Sequence, residues 1–468
     1  MSSIHELSAV DLVQHYQTSQ LSPVEVTRAV LSRIEALEPR LQATYALQAK
    51  AALDQAQASE ARWRRREPLR SGGVVLDGVP VTIKENIATQ GIPVPLGTAA
   101  TELVPAAQDA PVAARLREAG TVMLCKTTMP EYGMLSSGLS SFHPLTRNPW
   151  NLACNPGGSS AGAAAAAAAG YGPLHTGTDI GGSVRLPAAW CGIFGLKPSL
   201  GRVPIDPPYM ARVAGPMTRT VTDAALLMAV MSQPDARDHM SLPHQPIQWT
   251  TLNRELSDVR GMRLGLWLEA GCGLPLDPQV RAAVLQAARV FEQAGAQVQE
   301  LTPWMSNEML QGVDTFWRTR SGMDIMALPP ERRERVLPVV REWAQAGLGR
   351  SGEAVFHGYT QTQKVRAATV AATLPFDYVL SPVSPNTSFP AEWAYPSNDV
   401  ARAMDHIGYT LPFSMSEQPA ASVPCGLDAQ GVPIGLQIAG RRFDDLGVLQ
   451  MARWWEQLSP QRPPWPMP

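Results

Sequence analysis

The segment from Asn155 to Pro204 constrains the fold of this chain more than any other. It reads NPGGSSAGAAAAAAAGYGPLHTGTDIGGSVRLPAAWCGIFGLKPSLGRVP, with an alanine block from Ala163 to Ala169 between two glycine-serine clusters. Paired glycines allow positive φ values and a sharp turn, so the serine that follows can expose its hydroxyl. Backbone N–H groups of such a turn can point to the same place, as acyl-transfer enzymes require to stabilise an oxyanion. The segment therefore predicts a catalytic loop.

A serine hydroxyl needs a base before it becomes a good nucleophile. Residues 79–87 read VPVTIKENI, and the β-branched residues of this stretch alternate as in a strand that ends at Lys84. A lysine in water is protonated at neutral pH, but burial disfavours the charge and lowers the pKa. The positive end of a helix expected after Ser160 acts in the same direction. We therefore predict that Lys84 carries a neutral amine.

These motifs resemble those of the amidase signature family, which uses a Ser–Ser–Lys triad whose middle serine follows a cis peptide bond. The resemblance implies that Lys84 is the base and that Ser159, the first serine of GGSS, is the relay. Ser183, in GTDIGGSVR, matches the acyl nucleophile, and its 24-residue separation from Ser159 is similar to that of the family. The resemblance covers most of the chain and is densest over residues 76–204.

The resemblance also implies where an oxyanion would be held. The donors would be the backbone N–H groups of four consecutive residues, Ile180, Gly181, Gly182 and Ser183. Removal of one such donor typically costs about 3–4 kcal/mol of transition-state stabilisation. In the implied reaction Ser183 attacks the carbonyl of a small-molecule amide, the amine departs, and water cleaves the acyl-enzyme.

Three further residues are expected to support the site. Asp179 and Arg185 flank the nucleophile, and we expect them to hold the loop by hydrogen bonds rather than to act on the substrate. Ser160 has two interpretations, a supporting hydrogen bond within the site or an N-cap of the alanine helix. Candidate walls of the substrate pocket are Met134, Trp317 and Tyr359, although each also fits a place in the core.

Short strands alternate with helices along the chain, which favours an α/β fold. Ser8 and Ser22 are predicted N-caps of two helices, and Ser22-Pro23-Val24-Glu25 forms a capping box. The resemblance implies a single large domain over residues 1–468, with a central mixed β-sheet covered by helices on both faces. Within it we predict an N-terminal helical layer (1–66), a catalytic core (72–204) and a variable substrate-side region (267–399).

Composition and charge exclude several classes of function. The net charge is −2 and the sharpest basic cluster is Trp63-Arg64-Arg65-Arg66, so a nucleic-acid partner is not expected. No apolar run approaches the roughly 18 residues of a membrane span. Five scattered cysteines without a C-x-x-C pair indicate a cytoplasmic protein without a zinc site. We expect no cofactor and no metal, and the resemblance suggests a homodimer.

Two alternatives to a stand-alone amidase remain within the same fold. Similar chains serve as the glutaminase subunit of a tRNA-dependent amidotransferase, which works only in a complex. Leu186 follows Arg185 where those subunits usually have glutamine, and the segment before residues 363–366 lacks their R-I-x-x-G-T pattern. A catalytically silent binding subunit is the second alternative, and the retained triad argues against it.

A remote alternative is an esterase of the α/β-hydrolase type. The residues from Gly158 to Gly162 match G-x-S-x-G, which would make Ser160 the nucleophile of a sharp strand-to-helix turn. A later aspartate and histidine would have to complete that triad. This interpretation leaves Lys84 and Ser183 without a role.

Overall fold

One continuous sheet of eleven strands forms the centre of the protein in a computed structural model, which describes residues 3–252, 259–458, 465, 466 and 468. The strands are β1 Thr44–Tyr45, β2 Pro80–Lys84, β3 Val122–Thr127, β4 Leu174–Asp179, β5 Phe194–Lys197, β6 Val213–Thr218, β7 Arg263–Leu266, β8 Gln297–Glu300, β9 Tyr378–Pro382, β10 Ala420–Leu427 and β11 Pro433–Ala439.

Helices pack around this sheet along the whole chain. Those of the described residues are α1 Ala9–Gln17, α2 Pro23–Leu41, α3 Ala49–Arg64, α4 Pro111–Glu118, α5 Ala161–Ala169, α6 Arg185–Cys191, α7 Val221–Met231, α8 Pro278–Gln293, α9 Asn307–Met326, α10 Pro330–Arg333, α11 Pro338–Gln345, α12 Gly352–Thr373, α13 Leu411–Met415 and α14 Asp445–Leu458. Every helix in the described part of the chain is too short or too polar to cross a membrane.

The first helices begin where their capping residues predict. The Ser8 hydroxyl accepts a hydrogen bond from the N–H of Asp11 at 3.1 Å. At the start of α2 the bonds are reciprocal, because Ser22 accepts from the N–H of Glu25 at 3.2 Å and the Glu25 carboxylate accepts from the N–H of Ser22 at 2.8 Å. Pro23 occupies the first helical position, where its missing N–H costs no hydrogen bond.

The strand order is β1-β3-β2-β4-β6-β5-β10-β11-β9-β7-β8, and both parallel and antiparallel pairs occur. The α/β class and the mixed sheet are therefore confirmed, whereas the internal boundaries proposed for the domain stay predictions. Strand β2 lies parallel to β3 on one side and to β4 on the other. Because parallel strands end at the same edge of a sheet, Lys84 and Asp179 both lie at that edge.

Strand β6 is not predicted by the sequence pattern. It contains Gly215 and Pro216, residues that normally argue against the interior of a sheet. In the structure it pairs antiparallel with both β4 and β5. A Cβ atom at Gly215 would lie 1.9 Å from the carbonyl oxygen of Leu196, so the close approach of these strands requires glycine.

Helix α5 is the alanine block, and all nine of its residues are buried. Its side chains are small enough for the helix to pack closely against β2, β3, β4 and β6. Gly162 marks the closest approach, because a Cβ atom there would lie 2.2 Å from the carbonyl oxygen of Ala43 and 2.4 Å from the nitrogen of Thr128. The sequence of small residues therefore fixes the distance between this helix and its neighbours.

The long helices α9 and α12 pack against each other. Trp267 and Trp304 stack beneath them with ring centroids 3.7 Å apart. These residues belong to a second apolar cluster, which is separate from the cluster around α2, α7 and α14. The helical interpretation of this region agrees with the structure, and α9 brings Trp317 toward the catalytic core.

Replacement of Gly162 by alanine tests the packing of α5. We expect Gly162→Ala to lower the free energy of unfolding by about 1–3 kcal/mol, because the added methyl group meets backbone atoms that have little room to move. Gly352→Ala is the matched control, since nothing lies within 4 Å of its added Cβ. The midpoints of urea unfolding measure both effects, and equal midpoints for the two variants would contradict the packing argument.

Candidate active site

Lys84 is fully buried at the end of β2. Its amine lies 2.9 Å from each of three hydroxyl oxygens, those of Ser159, Ser160 and Thr178. An ammonium group has three N–H donors and no acceptor, so these three oxygens satisfy it completely. A neutral amine has two donors and a lone pair, and one of the three hydroxyls must then donate to the nitrogen.

The other hydrogen bonds of the three hydroxyls indicate which of them can donate to the nitrogen of Lys84. Ser160 donates to the carbonyl oxygen of Thr178 at 3.3 Å. The Thr178 hydroxyl can donate to the side-chain oxygen of Asn86 at 3.5 Å. Within residues 3–252 and 259–458, the Ser159 hydroxyl has no hydrogen-bond partner other than Lys84. Ser159 is therefore the hydroxyl best placed to give its proton to a neutral lysine.

The surroundings of Lys84 favour the neutral amine. Burial is the largest effect and, with the positive charge of Arg212, lowers the pKa of Lys84 to about 7. The carboxylates of Asp179 and Glu85 act in the opposite direction and keep the pKa from falling further. A substantial fraction of the amine is therefore uncharged at neutral pH and able to accept a proton.

The two serine clusters meet beside this lysine. The peptide bond between Gly158 and Ser159 is cis. The N–H of Ser160 donates to the carbonyl oxygen of Ser183 at 3.2 Å and joins the two loops. Ser159 and Ser183 line the same cavity. In the described part of the chain no hydrogen bond joins their hydroxyls.

Asp179 organises the loop that carries Ser183. Its carboxylate accepts hydrogen bonds from the N–H of Gly182 at 2.8 Å and the N–H of Val184 at 3.1 Å. Arg185 adds two bonds from its guanidinium at 2.9 and 3.0 Å. Burial alone would raise the pKa of Asp179, but the Arg185 charge and its hydrogen bonds lower this pKa to about 2. The carboxylate thus stays ionised and holds the loop.

Arg185 ties this loop to the closing third of the chain. Its side chain is fully buried and also donates to the carbonyl oxygen of Thr410, to the side-chain oxygen of Gln437 and to the hydroxyl of Ser414, at 2.8 to 2.9 Å. Neither Arg185 nor Asp179 lines the cavity. Both residues therefore hold the loop in place from outside the cavity.

The proposed oxyanion donors differ in their availability. In the part of the chain that the structure describes, the N–H groups of Ile180, Gly181 and Ser183 have no acceptor. The N–H of Gly182 is already donated to Asp179, which corrects its predicted role. Gly182 has φ +130°, a conformation that favours glycine, so its place in the loop is structural.

A cavity of about 620 Å³ opens above Ser159 and Ser183. Met134 and Trp317 are among the residues that line it, and their contact with substrate stays a prediction. Tyr359 does not line this cavity, so its predicted place in the pocket wall is corrected. It is 36% exposed on α12, and its ring packs 5.5 Å from that of Phe316.

Several residues of the site were not predicted from the sequence. Thr178 directly precedes Asp179 in the GTD motif, and its place as the third hydroxyl beside Lys84 follows only from the pairing of β2 and β4. Arg212 and Arg320 also line the cavity. Nothing in their local sequence signals this, because they lie far apart in the chain.

The esterase alternative does not fit the position of Ser160. Its hydroxyl is fully buried, is held by Lys84 and Thr178, and does not line the cavity. His175 bonds Thr82 at 2.8 Å and His406 bonds Ser136 at 2.7 Å, so neither serves Ser160. The hydroxyl makes no capping bond to α5 either, which favours its supporting role beside the lysine.

Known proteins resemble this chain over most of its length. The family model described as Amidase matches residues 25–449. An acylamidase from Rhodococcus erythropolis is 32% identical over 475 residues, which cover 98% of this chain and 96% of that protein. A glutamyl-tRNA(Gln) amidotransferase subunit from Roseiflexus sp. (strain RS-1) is 33% identical over 495 residues, with 98% of both chains covered.

The fold is also found among solved structures. The crystal structure of a bacterial aryl acylamidase of the amidase signature enzymes superposes with a TM-score of 0.86. The two chains are 30% identical, and the match covers 98% of this chain and 97% of that one. Because the family model and these relatives span nearly the whole chain, the protein belongs to the amidase signature family and is an amidase.

Proposed function

We propose that the protein hydrolyses a carboxylic acid amide through an acyl-enzyme on Ser183 and works without other protein chains. The observation that carries this proposal is the buried amine of Lys84, whose pKa is about 7 and which lies 2.9 Å from the Ser159 hydroxyl. Ser183 faces the same cavity as Ser159. The proposed base and relay are therefore in contact, and the proposed nucleophile lines a cavity that a small amide can enter.

Acylation begins with two proton transfers. Neutral Lys84 takes the proton of Ser159, and Ser159 takes the proton of Ser183 as the Ser183 oxygen bonds to the amide carbon. The carbonyl oxygen becomes an oxyanion and is stabilised by the free N–H groups of Ile180, Gly181 and Ser183. The carbonyl then re-forms and the C–N bond breaks. Ser159 gives a proton to the departing nitrogen and regains one from Lys84.

Deacylation uses the same groups with water as the nucleophile. Ser159, again backed by neutral Lys84, takes a proton from water as the water oxygen bonds to the acyl carbon. The second oxyanion occupies the same N–H groups. Its collapse breaks the ester bond, and Ser183 regains its proton through Ser159. The products are a carboxylic acid and an amine or ammonia, and the enzyme returns to its initial state.

The character of the cavity supports a stand-alone amidase. Its wall is largely apolar and aromatic, with Met129, Met134, Leu186 and Trp317 among the lining residues. Such a surface suits a hydrocarbon or aryl group next to the scissile amide. The acylamidase and aryl acylamidase relatives point the same way. The homodimer and the cytoplasmic location stay predictions.

A glutaminase subunit is the second candidate. Several curated relatives are subunits of glutamyl-tRNA(Gln) amidotransferases, with identities of 32 to 35%. In that case the chain would hydrolyse glutamine within a complex rather than a simple amide alone. Leu186 on the cavity wall, where glutamine is usual in those subunits, argues against it.

Activity of the purified chain separates these two candidates. We expect it to hydrolyse anilides and aliphatic amides without ATP, tRNA or another protein chain, because the proposed base, relay and nucleophile all belong to this chain. Release of p-nitroaniline from acyl p-nitroanilides measures the rate. If glutamine is the one amide hydrolysed, and if its hydrolysis requires the other amidotransferase components, the chain is instead a glutaminase subunit.

Substitution of the three residues tests the proposed relay. We expect Ser183→Ala and Lys84→Ala each to reduce kcat by about 10³-fold or more, and Ser159→Ala by about 10²- to 10⁴-fold. Lys50→Ala is the matched control, since Lys50 is an exposed lysine paired with Asp54. Wild-type kcat in Lys84→Ala, with the fold intact by circular dichroism, would contradict the proposed base.

The pH dependence of acylation tests the neutral amine. Protonated Lys84 accepts no proton, so the active fraction is nearly complete above its pKa of about 7 and is lost as the pH falls below it. For a neutral anilide we expect kcat/KM to decrease about tenfold per pH unit below pH ~6.5 and to level off above pH ~8. A flat profile between about pH 5 and 9 would exclude this assignment.

A further inference from the structure

Two arginines stand on the wall of the substrate cavity. Arg212 directly precedes β6, and Arg320 lies on α9. Both line the cavity that contains Ser159 and Ser183. Asp324 is the one carboxylate among the lining residues that the structure describes. The two guanidinium groups therefore leave one positive charge on the cavity wall uncompensated.

Arg320 is the better satisfied of the two arginines. Its guanidinium lies 4.5 Å from the ring centroid of Tyr209 and 3.7 Å from the Asp324 carboxylate. Its side chain is 42% exposed, so water solvates much of the group. Arg320 with Asp324 thus forms a paired, solvated rim to the cavity.

Arg212 lacks such a partner. Across residues 3–252 and 259–458, no carboxylate lies within 4 Å of its guanidinium, and its single hydrogen bond is to the carbonyl oxygen of Pro207 at 3.5 Å. Asp206 attracts it only from a greater distance. A guanidinium has five N–H donors, and Arg185 of the same protein uses its donors on four residues. Arg212 therefore has unused donors beside the cavity.

The electrostatic environment of Arg212 is unfavourable. Burial, and then the like charge of Arg320, lower the pKa of Arg212. An anion placed against the guanidinium would relieve both effects, because it would satisfy the N–H donors and compensate the charge. The planar guanidinium matches a carboxylate in particular, through two parallel N–H···O bonds.

We propose that Arg212 binds an ionised carboxylate that the amide substrate carries away from its scissile bond. The inference rests on the proposed amide hydrolysis and names its substrate class, amides with a second, acidic group. A carboxylate supplies one negative charge, which equals the uncompensated charge of the wall. The apolar side chains of Met134, Leu135 and Trp317 contact the hydrocarbon or aryl part between the two groups.

The acid group has two possible positions, and paired substrates distinguish them. Glutaryl p-nitroanilide carries it on the acyl side, and pentanoyl p-nitroanilide is its neutral partner. For the amine side, 4-acetamidobenzoate is compared with 4-acetamidotoluene. We expect the charged member of one pair to have the higher kcat/KM. In Arg212→Gln the charged-to-neutral ratio of that pair decreases by about 10- to 100-fold, the value of a charge-assisted hydrogen bond.

The ratio is the informative quantity, because any effect of Arg212 on Lys84 or on folding changes both members of a pair equally. Arg212→Lys keeps the charge and retains part of the preference. Arg65→Gln is the control, since Arg65 is an exposed arginine paired with Glu67, and its ratio equals that of the wild type. Ratios near one in both pairs, or equal losses for both members in Arg212→Gln, overturn the proposal.

Direct binding gives a second measurement that needs no turnover. Glutarate is titrated calorimetrically into Ser183→Ala and into Ser183→Ala combined with Arg212→Gln. We expect a dissociation constant at least about tenfold weaker in the double variant, and equal constants overturn the proposal. If the wild-type enzyme hydrolyses none of the four amides, the proposed function fails, and this titration still decides whether Arg212 binds carboxylates.

Discussion

The removal of one amine from water governs the structure of this site. Lys84 ends a buried strand, and three hydroxyl groups replace its hydration shell without supplying a negative charge. Hydroxyls satisfy the N–H donors of an ammonium, but they compensate the lost solvation of its charge only in part. The balance makes the neutral form accessible near pH 7, and in that form the amine of Lys84 can accept a proton.

The sheet makes this arrangement possible because it brings distant parts of the chain to one edge. Strands β2 and β4 are parallel neighbours, so Lys84 and the loop after Asp179 meet although they are far apart in the sequence. Asp179 and Arg185 then form a buried, mutually neutralising pair. Arg185 also donates hydrogen bonds to Thr410 and Gln437. The loop of Ser183 is therefore held both by Asp179 and by the closing third of the chain.

Local signals in the sequence were sufficient for part of this architecture. Capping residues such as Ser8 and Ser22 act within one helical turn, and the structure has both helices where they predict. Gly-Ser clusters and a strand-end lysine likewise identified the residues that meet beside the cavity. By contrast, β6 is stabilised by its two neighbours despite Gly215 and Pro216, which no local rule anticipates.

The residues that the sequence missed depend on contacts between distant elements. Thr178 lies beside Lys84 only because two strands pair, and Arg212 reaches the cavity only because β6 enters the sheet there. Tyr359 was misplaced for the same reason, since its side of α12 is set by packing against α9. The reason is different for Gly182. Its N–H was expected to be free, but it donates a hydrogen bond to the nearby carboxylate of Asp179.

Helix α9 has a consequence for how this enzyme can diversify. It supplies Trp317 and Arg320 to the cavity, yet it follows β8, at the edge of the sheet opposite to the side that holds β2. The part of the cavity wall that α9 supplies and the strand that carries Lys84 are thus separate parts of the molecule. Exchange of α9 together with α12, which packs against it, can therefore change that part of the wall while Lys84 and the hydroxyls around it keep their geometry, a modularity useful to evolution and to protein engineering alike.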